Sequence, residues 1–262
     1  MVPTLIFAAA TSCLAPVAPG ALAANAASVA TLAWAPFHRP ETGWVVYVPR
    51  IAAEIGTPCD VATPSFAAAL AKWQGTHRLA PTGVFDPLTF SAMKGKWQSA
   101  RPFVHINGKI ACPPPPPAAA LTTARADESY GGKTILLRTR ALAAYQTMLA
   151  TARKDAAIRA EPRSLTIFSG FRDPVSDAAR CEREGNCNGI VRATCSAHRT
   201  GLALDLWVGS APGFGPDSSA DANRAAMTHG PQYRWLLANA ARFGFVNYVF
   251  EPWHWEWTGE GI

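Results

Sequence analysis

The sequence is poor in charge. Only 16% of its residues are Asp, Glu, Lys or Arg, and no run of Lys and Arg marks a nucleic-acid surface. The formal charge of +6 is therefore spread thinly and implies no more than weak attraction to an acidic polymer. Internal repeats of about 20–50 residues are absent, which excludes solenoids and propellers. No C-x-x-C knuckle is present, which argues against a cysteine-rich structural zinc cluster. Past the first two dozen residues, no apolar stretch approaches the ~20 residues that a membrane-spanning helix needs. What remains is a chain of 262 residues, 49% of them hydrophobic, a balance that suits a packed globular protein. That length fits two small domains better than one large one.

Residues 1–24 are apolar and Ala-rich, and they end in Ala21-Leu22-Ala23, a small-x-small site of the kind a signal peptidase cuts. They are read as a secretory signal, which places the mature protein in a periplasm or in the extracellular wall. No Lys or Arg precedes the apolar stretch, so a misassigned start or an uncleaved anchor is the competing reading. Loss of the signal removes Cys13 and leaves Cys59, Cys112, Cys181, Cys187 and Cys195, an odd number for an oxidising compartment. Cys59 and Cys112 flank one segment and can staple it. The other three crowd one loop, where two of them are expected to pair.

The strongest punctuation is Cys112 followed by Pro113 to Pro117 and three alanines. Such a run favours a stiff, extended polyproline helix, and residues 113–125 are read as a linker between two domains. Before it, over residues 40–112, helical spacing of Phe66, Leu70 and Trp73 predicts a helix from Pro64 to Gln74. A second is predicted from Pro87 to Trp97, with a Pro81/Gly83 turn between them. After it, over residues 126–262, helices are expected from Thr139 to Arg153 and from Gln232 to Phe243, the latter stopped by Gly244. Strands are expected at Ser164–Phe168, Gly201–Val208 and Phe245–Phe250, and residues 173–195 as loop.

The chemistry concentrates in three strings. Ser196-Ala197-His198-Arg199-Thr200-Gly201-Leu202-Ala203-Leu204-Asp205 offers an imidazole and a carboxylate separated by a turn and an alternating segment. If Leu202, Leu204 and Leu206 face the core, Asp205 points the other way, where His198 can fold back from the turn. Both are zinc's usual ligand types, and a catalytic zinc needs three of them with a fourth position open. Glu251-Pro252-Trp253-His254 supplies a third ligand and a carboxylate beside it. Zinc lowers the pKa of its water to about 7, and a neighbouring carboxylate can then take the proton as a peptide carbonyl is attacked. Glu256, on the other side of His254, is the rival base to Glu251. The third string, Ser169-Gly170-Phe171-Arg172, ends an expected strand and delivers a cation into a loop. Ser196 is open between a hydrogen bond to substrate and a cap of its turn. His38, His77, His105 and His229 lie outside any such string and are taken as structural, as are Trp253, Trp255 and Trp257, the wall and packing of a pocket.

These strings resemble the zinc D-alanyl-D-alanine carboxypeptidase and dipeptidase family, whose signatures are S-x-H-x-x-G-x-A-x-D, E-x-W-H and, upstream, S-G-[YF]-R. The resemblance implies His198, Asp205 and His254 as ligands of one zinc per chain and Glu251 as catalytic base. It also implies that Arg172 stabilises the oxyanion and orients substrate. Asp173 stands where the family usually has Ser, which puts the contacts beside Arg172 in doubt. The earlier strings, F-x-x-A-L-x-x-W-Q from Phe66, L-x-P-T-G-V-F-D-P-x-T from Leu79 and K-x-K-W-Q from Lys94, resemble the small helical peptidoglycan-binding module found beside many wall hydrolases.

The expected fold is α+β: a small all-helical module joined to a zinc peptidase domain with a short antiparallel sheet. The expected activity is hydrolysis of a D-Ala-D-Ala bond in peptidoglycan stem peptides. A zinc endopeptidase cutting an L-Ala-D-Glu or cross-bridge bond and an inactive wall-binding protein are the alternatives. Nucleic acid is not an expected partner, and the sequence sets no oligomeric state.

Overall fold

The computed structural model describes residue 13 and residues 20–107, 112–183 and 195–259. Thr63-Pro64 and Asp86-Pro87 each combine a side chain that accepts a backbone N–H with a proline at the first helical turn, and each opens a helix. Among the described residues, five α-helices form the N-terminal half: α1 (Ala21–Thr31), α2 (Val48–Ile55), α3 (Pro64–Thr76), α4 (Pro87–Ser99) and α5 (Pro102–Asn107). A two-stranded ribbon, β1 (Ala33–Trp34) with β2 (Glu41–Thr42), is the one addition to an otherwise helical unit among the described residues. Gln74 ties α3 to the turn before α4, because its amide donates to the Val84 carbonyl at 3.0 Å and accepts from Gly83 N–H at 2.9 Å. Gly83 has φ +68°, and a Cβ there would meet the Ala67 carbonyl oxygen at 2.7 Å, so the turn admits only glycine.

The helical unit starts well before residue 40. Asn25 on α1 is fully buried; it donates to the Gly83 carbonyl and accepts from Phe85 N–H, at 2.9 and 2.8 Å. Cys13 is bonded to Cys59, and Cys112 to Cys195. A cut after Ala23 would therefore divide α1 and leave the cleaved segment tethered through Cys13–Cys59. The pairing of Cys59 with Cys112 expected from their flanking positions is corrected: Cys112 instead clamps the chain just ahead of the proline run to the residue just ahead of Ser196. The expected pair within the loop cysteines is corrected in the same way for Cys195; Cys187 and the side chain of Cys181 lie outside the described residues.

In the C-terminal half, β3 (Leu121–Thr123) and β4 (Leu136–Arg138) form an antiparallel ribbon followed by α6 (Thr139–Ala152) and α7 (Ala156–Arg159). Then come β5 (Ile167–Ser169), α8 (Pro174–Arg183), β6 (Ala203–Leu206), α9 (Asp221–His229), α10 (Pro231–Asn239), β7 (Phe245–Asn247) and β8 (His254–Trp257). The main sheet is antiparallel throughout, in the order β5-β6-β8-β7. Leu202, Leu204 and Leu206 are fully buried in the core beneath it with Tyr145, Met148 and Trp255. Helix α8 overturns the expectation of loop over 173–195 for its first part: the Asp173 carboxylate accepts from the N–H groups of Val175 and Ser176 at 3.0 Å, with Pro174 at the first helical position. Residues 184–194 lie outside the described residues.

The proline run does not stand clear as a free spacer. Pro113 and Pro116 are buried, and Pro116 and Leu121 close over Gly201. The two halves also share a charged network. Arg224 on α9, 1% exposed, donates to Glu41 at 3.2 Å, to the Tyr47 hydroxyl at 2.7 Å and to the Phe250 carbonyl at 2.9 Å. Burial, opposed by Arg224, pushes the Tyr47 hydroxyl far above its ordinary pKa, so it stays a donor, and it donates to Glu41 at 2.7 Å. Val249 completes the module's apolar core from the other half.

Candidate metal centre

Pairing in the main sheet sets the centre. Asp205 on β6 lies opposite His254 on β8 and opposite Ser169 on β5, so one carboxylate sits mid-sheet between two strands that carry the other motifs. His198 comes from the turn Ala197–Thr200, which folds back because Gly201 takes φ +70°. That turn is pinned from outside: Arg138 donates its Nε to the Thr200 carbonyl at 2.8 Å, and its backbone N–H to the Gly201 carbonyl at 2.9 Å.

His198 Nε2 lies 3.1 Å from Asp205 Oδ2, and His254 Nδ1 lies 2.9 Å from Asp205 Oδ1. One ligand atom from each of the three lies within 4.8 Å of the others, and all three residues are buried. The donor set fits zinc: two imidazoles and a carboxylate. The orientation fits as well. His198 Nδ1 is 2.7 Å from the Gly170 carbonyl, which can only accept, so Nδ1 carries the proton and Nε2 is left to ligate. Gly170 itself packs tightly on β4, where a Cβ would meet the Leu136 carbonyl oxygen at 2.6 Å.

Burial pushes the Asp205 carboxyl up, but the two imidazoles outweigh it and hold the group far below the carboxylate range. His254 is raised to about 9: burial favours its neutral form, and the hydrogen bonds and charges of Asp205 and Glu256 overcome that. Without metal the ring is thus protonated at neutral pH, and a metal that takes Nδ1 must displace a proton. Zinc uptake at pH 7 is expected to release one proton from His254, with apparent affinity rising about tenfold per pH unit until about pH 9. Calorimetry in buffers of different ionisation enthalpy counts that proton; uptake with none released contradicts it.

Glu251 and His254 close a turn in which His254 N–H donates to the Glu251 carbonyl at 3.0 Å, with Pro252 at the second position. The Glu251 carboxylate is partly exposed and 3.9 Å from His254 Nδ1, on the cleft side of the ring. Glu256, the rival base by sequence, faces the opposite ring nitrogen at 3.3 Å and is 1% exposed. Burial raises its carboxyl, but Arg101 and His254 bring it down to about 2, which makes it a fixed anion away from the cleft.

Arg172 reaches the same cleft. It donates to Asp177 and to Ser196, each at 3.1 Å, and to Ser169 at 3.3 Å. Ser196 makes no cap of its turn; its hydroxyl donates to Asp177 at 2.8 Å. Asp177, one turn into α8, is buried and gathers Arg172, Arg199 and Ser196; the loop reading of that segment hid it. The cleft has a volume of about 820 Å³, and Phe103, Val104, Lys133, Tyr248 and Trp253 also line it. Trp253 is the wall expected of it, while Trp255 and Trp257 pack in the core. None of His38, His77, His105 or His229 joins the cleft.

Residues 134–260 match the family model VanY, D-alanyl-D-alanine carboxypeptidase. A solved structure of the LdcB LD-carboxypeptidase is 23% identical, covering 55% of this chain and 69% of that one, with a TM-score of 0.40. A vancomycin-resistance D,D-pentapeptidase VanY in complex with Zn(II) is 19% identical, covering 56% and 83%, with a TM-score of 0.32. No curated protein matches the chain.

Proposed function

We propose, from the match of residues 134–260 to the VanY family model, that this chain is a zinc carboxypeptidase trimming the D-Ala-D-Ala end of peptidoglycan stem peptides. The observation that carries the reading is the meeting of His198, Asp205 and His254 with the Glu251 carboxylate on their cleft side. His198, Asp205 and His254 would hold one zinc, which when bound would supply Lewis-acid polarisation of the carbonyl and a water of lowered pKa. Glu251 accepts a proton from the attacking water and passes it to the nitrogen of the leaving amino acid, which balances the hydrolysis. Arg172, held by Asp177, Ser196 and Ser169, presents a fixed cation to the oxygen that gains charge and to the substrate's terminal carboxylate.

The two disulfides support work outside the cytosol at the wall. The test incubates the full chain with stem pentapeptide and stem tetrapeptide, with and without a zinc chelator, and reads products by mass. Chelator-sensitive loss of one alanine from the pentapeptide is expected. Loss of the last residue from the tetrapeptide alone would assign an LD-carboxypeptidase, and an internal cut an endopeptidase.

A further inference from the structure

Glu256 follows His254 by two residues on β8 and so shares its face of the strand. Its remaining partners come from the other half of the molecule. Arg101, between α4 and α5, donates Nε to Oε1 at 2.6 Å, with Nη2 also 2.6 Å from that oxygen. The Phe103 backbone N–H donates to Oε2 at 2.8 Å. Arg101 is 7% exposed, is steadied by Gln98 at 2.7 Å, and lies over the Tyr248 ring at 4.2 Å. The carboxylate so held presents Oε1, the oxygen that Arg101 grips, to the imidazole, and it meets Nε2 at 3.3 Å. That leaves Nδ1 turned toward Asp205.

We propose that Arg101 is a positioning residue of the metal centre: through Glu256 it fixes the tautomer and the angle of His254, so the helical module supplies the outer shell of a site built on the other half. The inference rests on the metallopeptidase reading. It gives the module a task at the site that binding to the wall would not require, because a tethered wall-binding unit needs no contact with a metal ligand. Groups that orient a ligating histidine typically carry about 10–100-fold in metal affinity.

The test compares full-length wild type, Arg101→Ala and Arg101→Lys in zinc affinity by competition with a chromophoric chelator, in the visible spectrum of the Co²⁺ form, and in the imidazole ¹⁵N resonances. All are taken where circular dichroism shows each protein folded. Arg101→Ala is expected to bind zinc about 10–100-fold more weakly, with a shifted Co²⁺ spectrum and an altered His254 Nε2 resonance, and Arg101→Lys to recover part of the loss. A folded Arg101→Ala with wild-type affinity and spectrum overturns the proposal while leaving the metallopeptidase reading intact. A wild type that binds no zinc overturns both. If Arg101→Ala does not fold, Arg101→Gln, which keeps a polar stem, is measured against the same two outcomes.

Discussion

Glu251→Gln is expected to lower turnover of stem pentapeptide about 10²–10⁴-fold while zinc binding stays as in wild type. The carboxylate faces the cleft and stands 3.9 Å from the nearest nitrogen of His254, beside the cluster rather than within it. The amide keeps the shape and the hydrogen-bonding reach of the side chain but cannot accept and carry a proton. Rate and metal content are therefore read separately, by single-turnover assay and by chelator competition. Near-normal turnover in this variant would refute Glu251 as the base. Because Glu256 is buried between Arg101 and His254, it has no path to a water in the cleft, so it cannot substitute.

Asp205→Asn is expected to have the opposite signature, loss of the metal itself. Its two oxygens reach both imidazoles, at 2.9 and 3.1 Å, and its charge is the one anion within the cluster. Free zinc at 100 times its dissociation constant stabilises a folded protein by about 2.7 kcal/mol. A variant weakened a further hundredfold keeps only about 0.4 kcal/mol by the same relation. For a chain of this size the wild-type gain corresponds to a rise of about 5–10 °C in melting temperature, nearly all of which Asp205→Asn should lose. An equal zinc-induced rise in both proteins would remove Asp205 from the ligand set. The two variants together separate chemistry from metal retention.

The cluster was legible in sequence because its spacing is local. Alternation along Leu202 to Leu206 puts Asp205 on one face, Gly201 permits the turn back to His198, and Glu251 and His254 belong to one turn. Helices α3, α4 and α6 were legible for the same reason, since proline, caps and apolar spacing all act within a few residues. What escaped depends on groups far apart in the chain. The Gly170 carbonyl that orients His198 is a backbone atom and leaves no residue signature. Asp177 was hidden because a charged stretch followed by Gly and Cys looks like loop, although Asp173-Pro174 carried a helix-start signal that could have exposed it. The cysteine pairs join residues 46 and 83 positions apart, and reading residues 1–24 as a removable signal took Cys13, the partner of Cys59, out of consideration. Arg101 belongs to none of the sequence motifs, and its partner Glu256 lies 155 positions away.

The Arg101 contact limits how this protein can be re-engineered. Expressed from the proline run onward, the catalytic half would keep Glu256 beside His254 but lose the guanidinium and the Phe103 N–H that now hold it. It would also bare Val249 and Phe250, which now pack against the N-terminal half. Grafting a different anchoring unit in front of residue 113 would meet the same difficulty unless the newcomer brought a cation to the same spot. The seam between the halves is thus a poor place to cut, however inviting five consecutive prolines look to a designer of chimeras.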